Sequence, residues 1–388
     1  MTGSVLIVIS SVAAEGTPRL ALELGRAWLR LGLRPVIVVL HAQPDDLRAD
    51  FDALRVERID LNLSRQGYWR YVQLAFGIYR AARRYRAVAV LSMPLGWHSF
   101  MAIGARLAGV QRFVAHVGNH PNPSKGRAFT KFRALVRLGR PMTSSHVCCS
   151  RYVQGGAVRH FNLDVTETSV IYNGVPLDDF ARRAAVAGNA RSRHELFTIG
   201  MVARLEAHKD HATLIDAAQI LKERGRHFRV LLIGDGSNRA NLEARISVTR
   251  TADHVMLLGM RRDIPELIGG LDLFVFSTTP DEGMGIALVE AMAAEIPIVA
   301  SDVGACREVL EDGRLGVLVT PGNPAALADA IEAIMISPVS ALAQAREAKA
   351  RAMRDFSIDA MAERYAELLG LDASVTSCVH LEEAEYVR

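Results

Sequence analysis

The sequence predicts an α/β protein of two domains, each a parallel sheet with crossover helices. Three observations predict it. Short apolar runs alternate with amphipathic stretches along the chain, the pattern of successive βαβ units. The 388 residues exceed what one ordinary core encloses. A polar segment rich in small residues, 181–195, interrupts the alternation near the middle and reads as a linker.

In the first half, the apolar runs 5–9, 36–40, 87–91, 112–115 and 147–149 read as strands, with helices such as 19–31 and 68–84 between them. The second series begins at 197–202 and continues through 229–233, 255–258, 273–276, 297–300 and 316–319. Helices such as 212–224 and 324–336 fall among these strands, and two more, 341–354 and 358–369, close the pattern. The expected division is a first domain 1–180, the linker 181–195, a second domain 196–355, a helix within 356–370 and a tail 371–388.

Half the residues are hydrophobic and 23% are charged, as in soluble globular proteins. No apolar run is long enough to span a bilayer. Residues 5–10 follow no basic stretch, so they read as a strand and not as a signal peptide. Cys148, Cys149, Cys306 and Cys378 form neither a C-x-x-C pair nor a zinc-type cluster. The expectation is a reducing cytoplasm and no metal. No Walker A sequence occurs, which excludes that class of ATPase, and the acidic pair Asp50 and Asp52 follows no strand.

The net charge of +4 conceals an asymmetry: residues 61–163 carry sixteen Lys and Arg and no Asp or Glu, leaving −12 for the rest. Such a segment suits an anionic surface or substrate. Nucleic acid is not expected, because no recognition motif accompanies the charge. Within the segment, Lys125, Arg127, Lys131, Arg133, Arg137 and Arg140 interleave with Phe129, Phe132, Leu135, Val136 and Leu138. That pattern fits an interfacial membrane helix, and equally a helix that packs its apolar side inward with a basic outer face.

The stretch 278–300 holds most of the chemistry. Glu282 follows the apolar run 273–276, and Gly283, Met284 and Gly285 lead into a helix near Ile286. Glu290 lies about one turn into that helix. One carboxylate therefore sits at the carboxyl end of a strand, where open α/β sheets bind ligands. The amides of Gly283, Met284 and Gly285 at a helix N-terminus suit an anionic or polyhydroxyl ligand. After strand 197–202 come Arg204 and Lys209, two cations able to pair with a diphosphate. Gly234 and Gly236 follow the strand 229–233, either to let backbone approach a nucleotide or to make a tight turn.

These segments resemble glycosyltransferase family 4 (group 1), retaining enzymes of the GT-B architecture. Glu282, Gly283, Gly285, Glu290, Ala291, Met292, Ala293 and Pro297 match that family's Glu-x7-Glu motif and the sequence after it. Met284 stands where an aromatic is usual, and Glu295-Ile296 where a Gly is usual. Arg204 and Lys209 match the cations of the Gly-Arg-Leu…Lys-Gly segment, with Ala203 and Asp210 replacing its glycines. Ile171-Tyr172-Asn173-Gly174-Val175 resembles Ile-Pro-Asn-Gly-Val, and Leu257-Leu258-Gly259 the loop that meets the base. Gly16 and Thr17 lie where the family has a Gly-Gly loop for diphosphate and acceptor. His116 and His120 flank the position of the family's first-domain histidine, and His98 lies upstream.

The resemblance implies two Rossmann-like domains facing across a cleft, with the last helix crossing back to the first domain. It implies sugar transfer from a nucleotide donor, UDP- or GDP-linked, to a glycan or lipid-linked acceptor, with retention at the anomeric carbon and no metal or other cofactor. Glu282 and either His116 or His120 would serve the reacting sugar. Arg204, Lys209, Glu290, Gly234, Gly236 and the loop from Gly283 to Gly285 would hold the donor. Localisation is expected to be cytoplasmic, peripheral on the inner face of the membrane. A non-catalytic nucleotide-sugar-binding subunit and a nucleotide-sugar 2-epimerase are the alternatives.

Overall fold

The computed structural model describes residues 3–13, 15–64, 66–190 and 196–371. The chain divides into two compact units: residues up to Gly174 together with those from Ile358 onward, and Val175–Ser357.

The strands of the first unit are β1 Ser4–Ile9, β2 Arg34–Val39, β3 Arg58–Asp60, β4 Ala87–Ser92, β5 Arg112–Val117, β6 Ser145–Cys148 and β7 Thr168–Val170. They pair in parallel in the order β3-β2-β1-β4-β5-β6-β7. Its helices are α1 Gly16–Arg30, α2 Arg48–Ala53, α3 Trp69–Arg84, α4 His98–Leu107, α5 Arg127–Gly139 and α6 Arg151–Phe161. The short three-residue edge strand β3 and β7 escape an apolar-run reading, because little of either is apolar.

The continuous apolar run of β1 has a direct cause. Successive side chains point to opposite faces, and both faces are covered. Val5, Ile7 and Ile9 enter one core with Leu24 and Trp28 of α1. Leu6 and Val8 enter the other with Leu74 and Ile78 of α3 and Met101 of α4.

The second unit opens with α7 Leu177–Ala190 and continues β8 Phe197–Val202, α8 His211–Glu223, β9 Phe228–Ile233, α9 Arg239–Val248, β10 Val255–Gly259, α10 Ile264–Gly269 and β11 Leu273–Phe276. It ends with α11 Ile286–Ala293, β12 Ile298–Ser301, α12 Gly304–Val309, β13 Val317–Val319, α13 Pro324–Ile336 and α14 Val339–Asp355. Its sheet is also parallel, in the order β10-β9-β8-β11-β12-β13. Leu214, Ile215 and Leu221 of α8 and Leu327 and Ile331 of α13 pack on Ile199, Met201, Val230 and Val275.

The linker expected at 181–195 is largely helix: α7 runs through Ala190, and residues 191–195 lie outside the described residues, as does Cys378 in the tail. Leu177, Phe180 and Ala184 form the buried line of α7. A Cβ on Gly269 would lie 2.1 Å from the Ala184 carbonyl oxygen, so α10 meets α7 backbone to backbone. Arg183 adds a two-pronged pair to Glu266, with both contacts at 2.7 Å. Small residues conceal such a helix in sequence because close approach, not bulk, buries it.

The final helix α15, Ile358–Leu368, belongs to the first unit. Ile358, Met361 and Tyr365 join the core of α1. The Trp28 indole N–H donates to the Ala362 carbonyl at 3.0 Å. No single described helix is long and apolar enough to cross a membrane.

Candidate functional site

The second sheet reverses its winding between β8 and β11, which are neighbours paired through Leu273 and Ile199. Chain leaving the two strands opens a crevice at their carboxyl ends. Both cation and carboxylate loops leave there: 203–210 after β8 and 277–285 after β11.

Backbone carbonyls of the first loop hold the second. His208 O accepts from the Thr279 N–H at 3.0 Å and from Thr278 Oγ1 at 3.1 Å, and Asp210 O accepts from Ser277 Oγ at 3.0 Å. These ties were not read from sequence. The run Ser277-Thr278-Thr279 behind β11 was their signal. Asp210 occupies the family glycine position with φ +39° and caps α8, its carboxylate accepting from Thr213 Oγ1 at 2.8 Å. Asp tolerates the left-handed region by such local bonding, which explains the departure.

Lys209 and Glu282 form an ion pair across these loops, with side chains only 16% and 11% exposed. The Lys209 ammonium also lies 5.6 Å from the Phe276 ring centroid. Burial pushes the Glu282 carboxyl pKa up. The adjacent Lys209 charge and the N–H groups of Gly283 and Met284 outweigh it and hold Glu282 below the usual carboxylate range. The Gly283 N–H donates to Glu282 Oε1 at 3.1 Å. This corrects the expectation that the amides of Gly283 and Met284 await a ligand: the Glu282 carboxylate takes both.

Gly285 is the N-cap of α11 with φ +79°, and a Cβ there would lie 3.0 Å from the Phe276 ring. Glu290 is half-buried in the second turn of that helix, and Arg204 is exposed at the end of β8. Unit 2 therefore gathers Arg204, Lys209, Glu282, Gly285 and Glu290 around one switch point.

Gly234 and Gly236 lie in the loop after β9, against the loop after β8 that carries Arg204 and Lys209. A Cβ on Gly234 would lie 2.0 Å from the Ala203 carbonyl oxygen, and one on Gly236 2.6 Å from that of Leu205. The loop after β9 is thus pressed onto the loop after β8. The Leu205 N–H donates to Asp235 O at 3.0 Å, and Ser237 Oγ to Glu206 at 2.9 Å. Close loop packing accounts for both glycines.

In unit 1 the corresponding reversal lies between β1 and β4. Gly16 and Thr17 open α1 just beyond β1, both exposed, and no heavy atom lies within 4 Å of a Cβ placed on Gly16. The two histidines separate. His116 lies within β5, 2% exposed, with Nδ1 3.0 Å from the Tyr365 hydroxyl of α15. Burial pushes its pKa down to about 4. It is a core residue neutral at physiological pH, inside β5 rather than past a strand ending at 115. His120 lies past the end of β5, half-buried, its ring stacked on Tyr152 at 4.5 Å. His98 is buried at the start of α4, its ring 5.6 Å from that of His146. Burial and the His146 charge push it down to about 3.

The aromatic side of α5 also resolves. Phe129 and Phe132 pack on Phe161 of α6, with centroids 5.8 and 5.3 Å apart. The inward-packing reading holds for that helix, and Arg127, Lys131, Arg133 and Arg137 remain on its outer side. Among the described residues, no group of three or more His, Cys, Asp and Glu is placed to hold a metal ion.

Comparison with known proteins accords with this geometry. Residues 187–353 match the family model described as glycosyl transferases group 1, and residues 14–179 match that of glycosyltransferase family 4. A phosphatidyl-myo-inositol mannosyltransferase of Mycobacterium leprae is 29% identical over 222 residues, 57% of each chain. An alpha-D-kanosaminyltransferase of Streptomyces kanamyceticus is 31% identical over 167 residues, 42% of this chain and 43% of that one. The matches thus span about half the length of these relatives. In structure, Anabaena HepE in complex with UDP superposes with TM-score 0.82 at 21% identity, covering 95% of this chain and 99% of that one. The lipopolysaccharide glycosyltransferase WaaG superposes with TM-score 0.71 at 15% identity, covering 94% and 99%. The two-sheet fold is that of GT-B glycosyltransferases.

Proposed function

Because the chain belongs to glycosyltransferase family 4 (group 1), we propose that it transfers a sugar, with retention, from a nucleotide donor to a lipid-linked or polysaccharide acceptor at the cytoplasmic membrane face. The observation that carries this reading is the Lys209–Glu282 pair at the β8/β11 switch, with exposed Arg204 on the same loop as Lys209.

The donor belongs to unit 2. Arg204 and Lys209 take the diphosphate, whose negative charge grows as the anomeric C–O bond breaks. Cations fixed before the reaction stabilise that charge more in the transition state than in the ground state. They do the charge work without a metal or other cofactor. Glu290, an acceptor-only group when ionised, receives the ribose hydroxyls. Glu282 orients the sugar hydroxyls, already held ionised and in place by Lys209 and two backbone N–H groups. The reaction exchanges the bond from the anomeric carbon to the diphosphate oxygen for one to the acceptor oxygen. The acceptor proton leaves with the diphosphate. Of the two candidate histidines, His116 is buried within β5 and His120 is half-buried, so the reading assigns His120 to the reacting sugar.

The complexes of Anabaena HepE with UDP and UDP-glucose favour a uridine donor. The mannosyl acceptor lipid named for the mycobacterial relative, and the basic segment 61–163, favour a membrane-borne acceptor. The test is thermal stabilisation by UDP-, GDP-, ADP- and CMP-sugars, with Arg204→Ala and Glu290→Ala alongside. A shift with one nucleotide, lost in both variants, supports the donor site. The anomeric configuration of the product then tests retention. No shift with any nucleotide sugar would overturn the donor-site reading, and a shift without transfer would favour the non-catalytic nucleotide-sugar-binding subunit.

A further inference from the structure

Helix α3 has two apolar sides, and the sheet uses only one. Leu74, Ile78, Ala81 and Ala82 are buried in the core shared with α4. On the opposite side Trp69 is 68%, Val72 52% and Phe76 58% exposed, and Tyr68 just before them is 89% exposed. Positions 69, 72 and 76 follow the i, i+3, i+7 line of one helix face. The same line continues into exposed Arg80, Arg83 and Arg84. The Arg80 guanidinium lies 5.8 Å from the Phe76 ring centroid. A folded chain gains nothing by holding large aromatics in water, and a contiguous patch of them marks a surface that something covers.

We propose that this face of α3 docks the protein on an anionic lipid surface; the proposal rests on the reading that the acceptor is membrane-borne. Charge selects the occupant. Neither α3 nor α4 and β4, which pack against it, contains an Asp or Glu, within a segment of sixteen cations and no acids. Glu57 reaches the C-terminal end of the helix through the Tyr85 hydroxyl, at 2.9 Å. A basic face of this kind complements anionic headgroups. Trp69, Val72 and Phe76 enter the boundary between headgroups and acyl chains, while Arg80, Arg83 and Arg84 meet lipid phosphates. With 16 residues the helix is about 24 Å long, which lets it lie along the surface with its aromatic half inserted and its arginine half on phosphate. The aromatics Phe129 and Phe132 of α5 are spent against Phe161 inside unit 1, so that helix exposes no aromatic face of this kind.

The test is co-flotation of the full-length protein with vesicles of phosphatidylcholine alone and of phosphatidylcholine mixed with phosphatidylglycerol. It compares the wild type with Trp69→Ala/Phe76→Ala and Arg80→Gln/Arg83→Gln. The wild type is expected on the mixed vesicles, less so at high salt. Each double variant should lose about tenfold or more in partitioning. Melting temperatures and the nucleotide-sugar shift should stay at wild-type values, since all four side chains are exposed. Equal flotation of all three proteins would overturn α3 as the surface while leaving a membrane-borne acceptor standing. No flotation of the wild type, with the nucleotide shift intact, would overturn the membrane part and leave the donor reading. A self-association in sedimentation equilibrium that Trp69→Ala/Phe76→Ala abolishes, without flotation, would make the patch a contact between copies and overturn the proposal.

Discussion

Lys209 and Glu282 close on each other over 73 positions of sequence, joining the loop after β8 to the loop after β11 in a nearly water-free pair. Each charge is tolerable there because of the other. Removing one leaves its partner buried and uncompensated, whereas removing both does not. Lys209→Met and Glu282→Gln are each expected to cost about 2–4 kcal/mol. The double variant should cost clearly less than the sum, read from a denaturation double-mutant cycle; additive effects would show that the pair is not coupled. The pH dependence has a definite sign. Because the folded pKa of Glu282 is depressed, its contribution is present above the ordinary carboxylate value and is lost as pH falls through the folded value. In Lys209→Met that loss should begin at a higher pH.

The buried histidines of unit 1 predict acid sensitivity. His98 is pushed down to about 3, and His116 and His146 to about 4, chiefly by burial. Below the ordinary value near 6.5 the unfolded chain binds protons that the folded chain refuses. Their contribution is therefore full above pH 6.5 and is lost as pH falls from there towards the folded values. Each histidine contributes a slope of up to about 1.4 kcal/mol per pH unit in that window. His116→Gln should flatten the stability profile between pH 6.5 and 5 by one such slope. An unchanged slope would mean that His116 titrates normally.

The glycines divide by what surrounds them. Gly234→Ala would put a Cβ 2.0 Å from the Ala203 carbonyl oxygen, where only backbone movement can relieve it. A loss of about 2–4 kcal/mol and of the nucleotide-sugar thermal shift is expected. Gly16→Ala meets no atom within 4 Å and should leave stability within about 1 kcal/mol of wild type. If the loop that opens α1 serves the reaction, transfer falls in Gly16→Ala without a fall in melting temperature. Full turnover would remove that loop from the site.

Glu295 holds φ +61° at the end of α11, where the family has glycine. Ion pairs to Lys349 at 3.1 Å and Arg346 at 3.7 Å partly offset the left-handed strain. The strain is worth about 1–2 kcal/mol and exposed pairs rather less than 1 kcal/mol. Stability should therefore rank Glu295→Gly above wild type and wild type above Glu295→Ala, which keeps the strain and loses the pairs. A melting series that places Ala above Glu would refute this account.

Much of the candidate site was legible because its residues lie close together in sequence. Glu282, Gly285 and Glu290 fall within one strand-loop-helix connection, and Arg204 and Lys209 within another, so strand ends and a helix start locate them. The burial of His116 was not legible because a strand run read as 112–115 does not reveal what the next ring meets; Tyr365 arrives from 249 positions away. Helix α7 was missed because Ala184, Gly188 and Gly269 bury backbone rather than side chains. The sequence around Gly234 and Gly236 fits a tight turn and a nucleotide approach equally, because the carbonyls of Ala203 and Leu205 that they pack against lie about thirty positions away.

The sequence by itself determined the two series of strands and helices, the loops that carry the carboxylates and cations, and the charge of segment 61–163. Those properties are local, set by periodicity, turn residues and composition over short stretches of chain. Only the tertiary structure decided which partners those groups meet. It gave the Gly283 and Met284 amides to Glu282, placed His116 under Tyr365, and turned the aromatics of α5 inward while leaving those of α3 in water. An amphipathic pattern states that a helix has an apolar side; whether that side is covered depends on packing against elements remote in the chain.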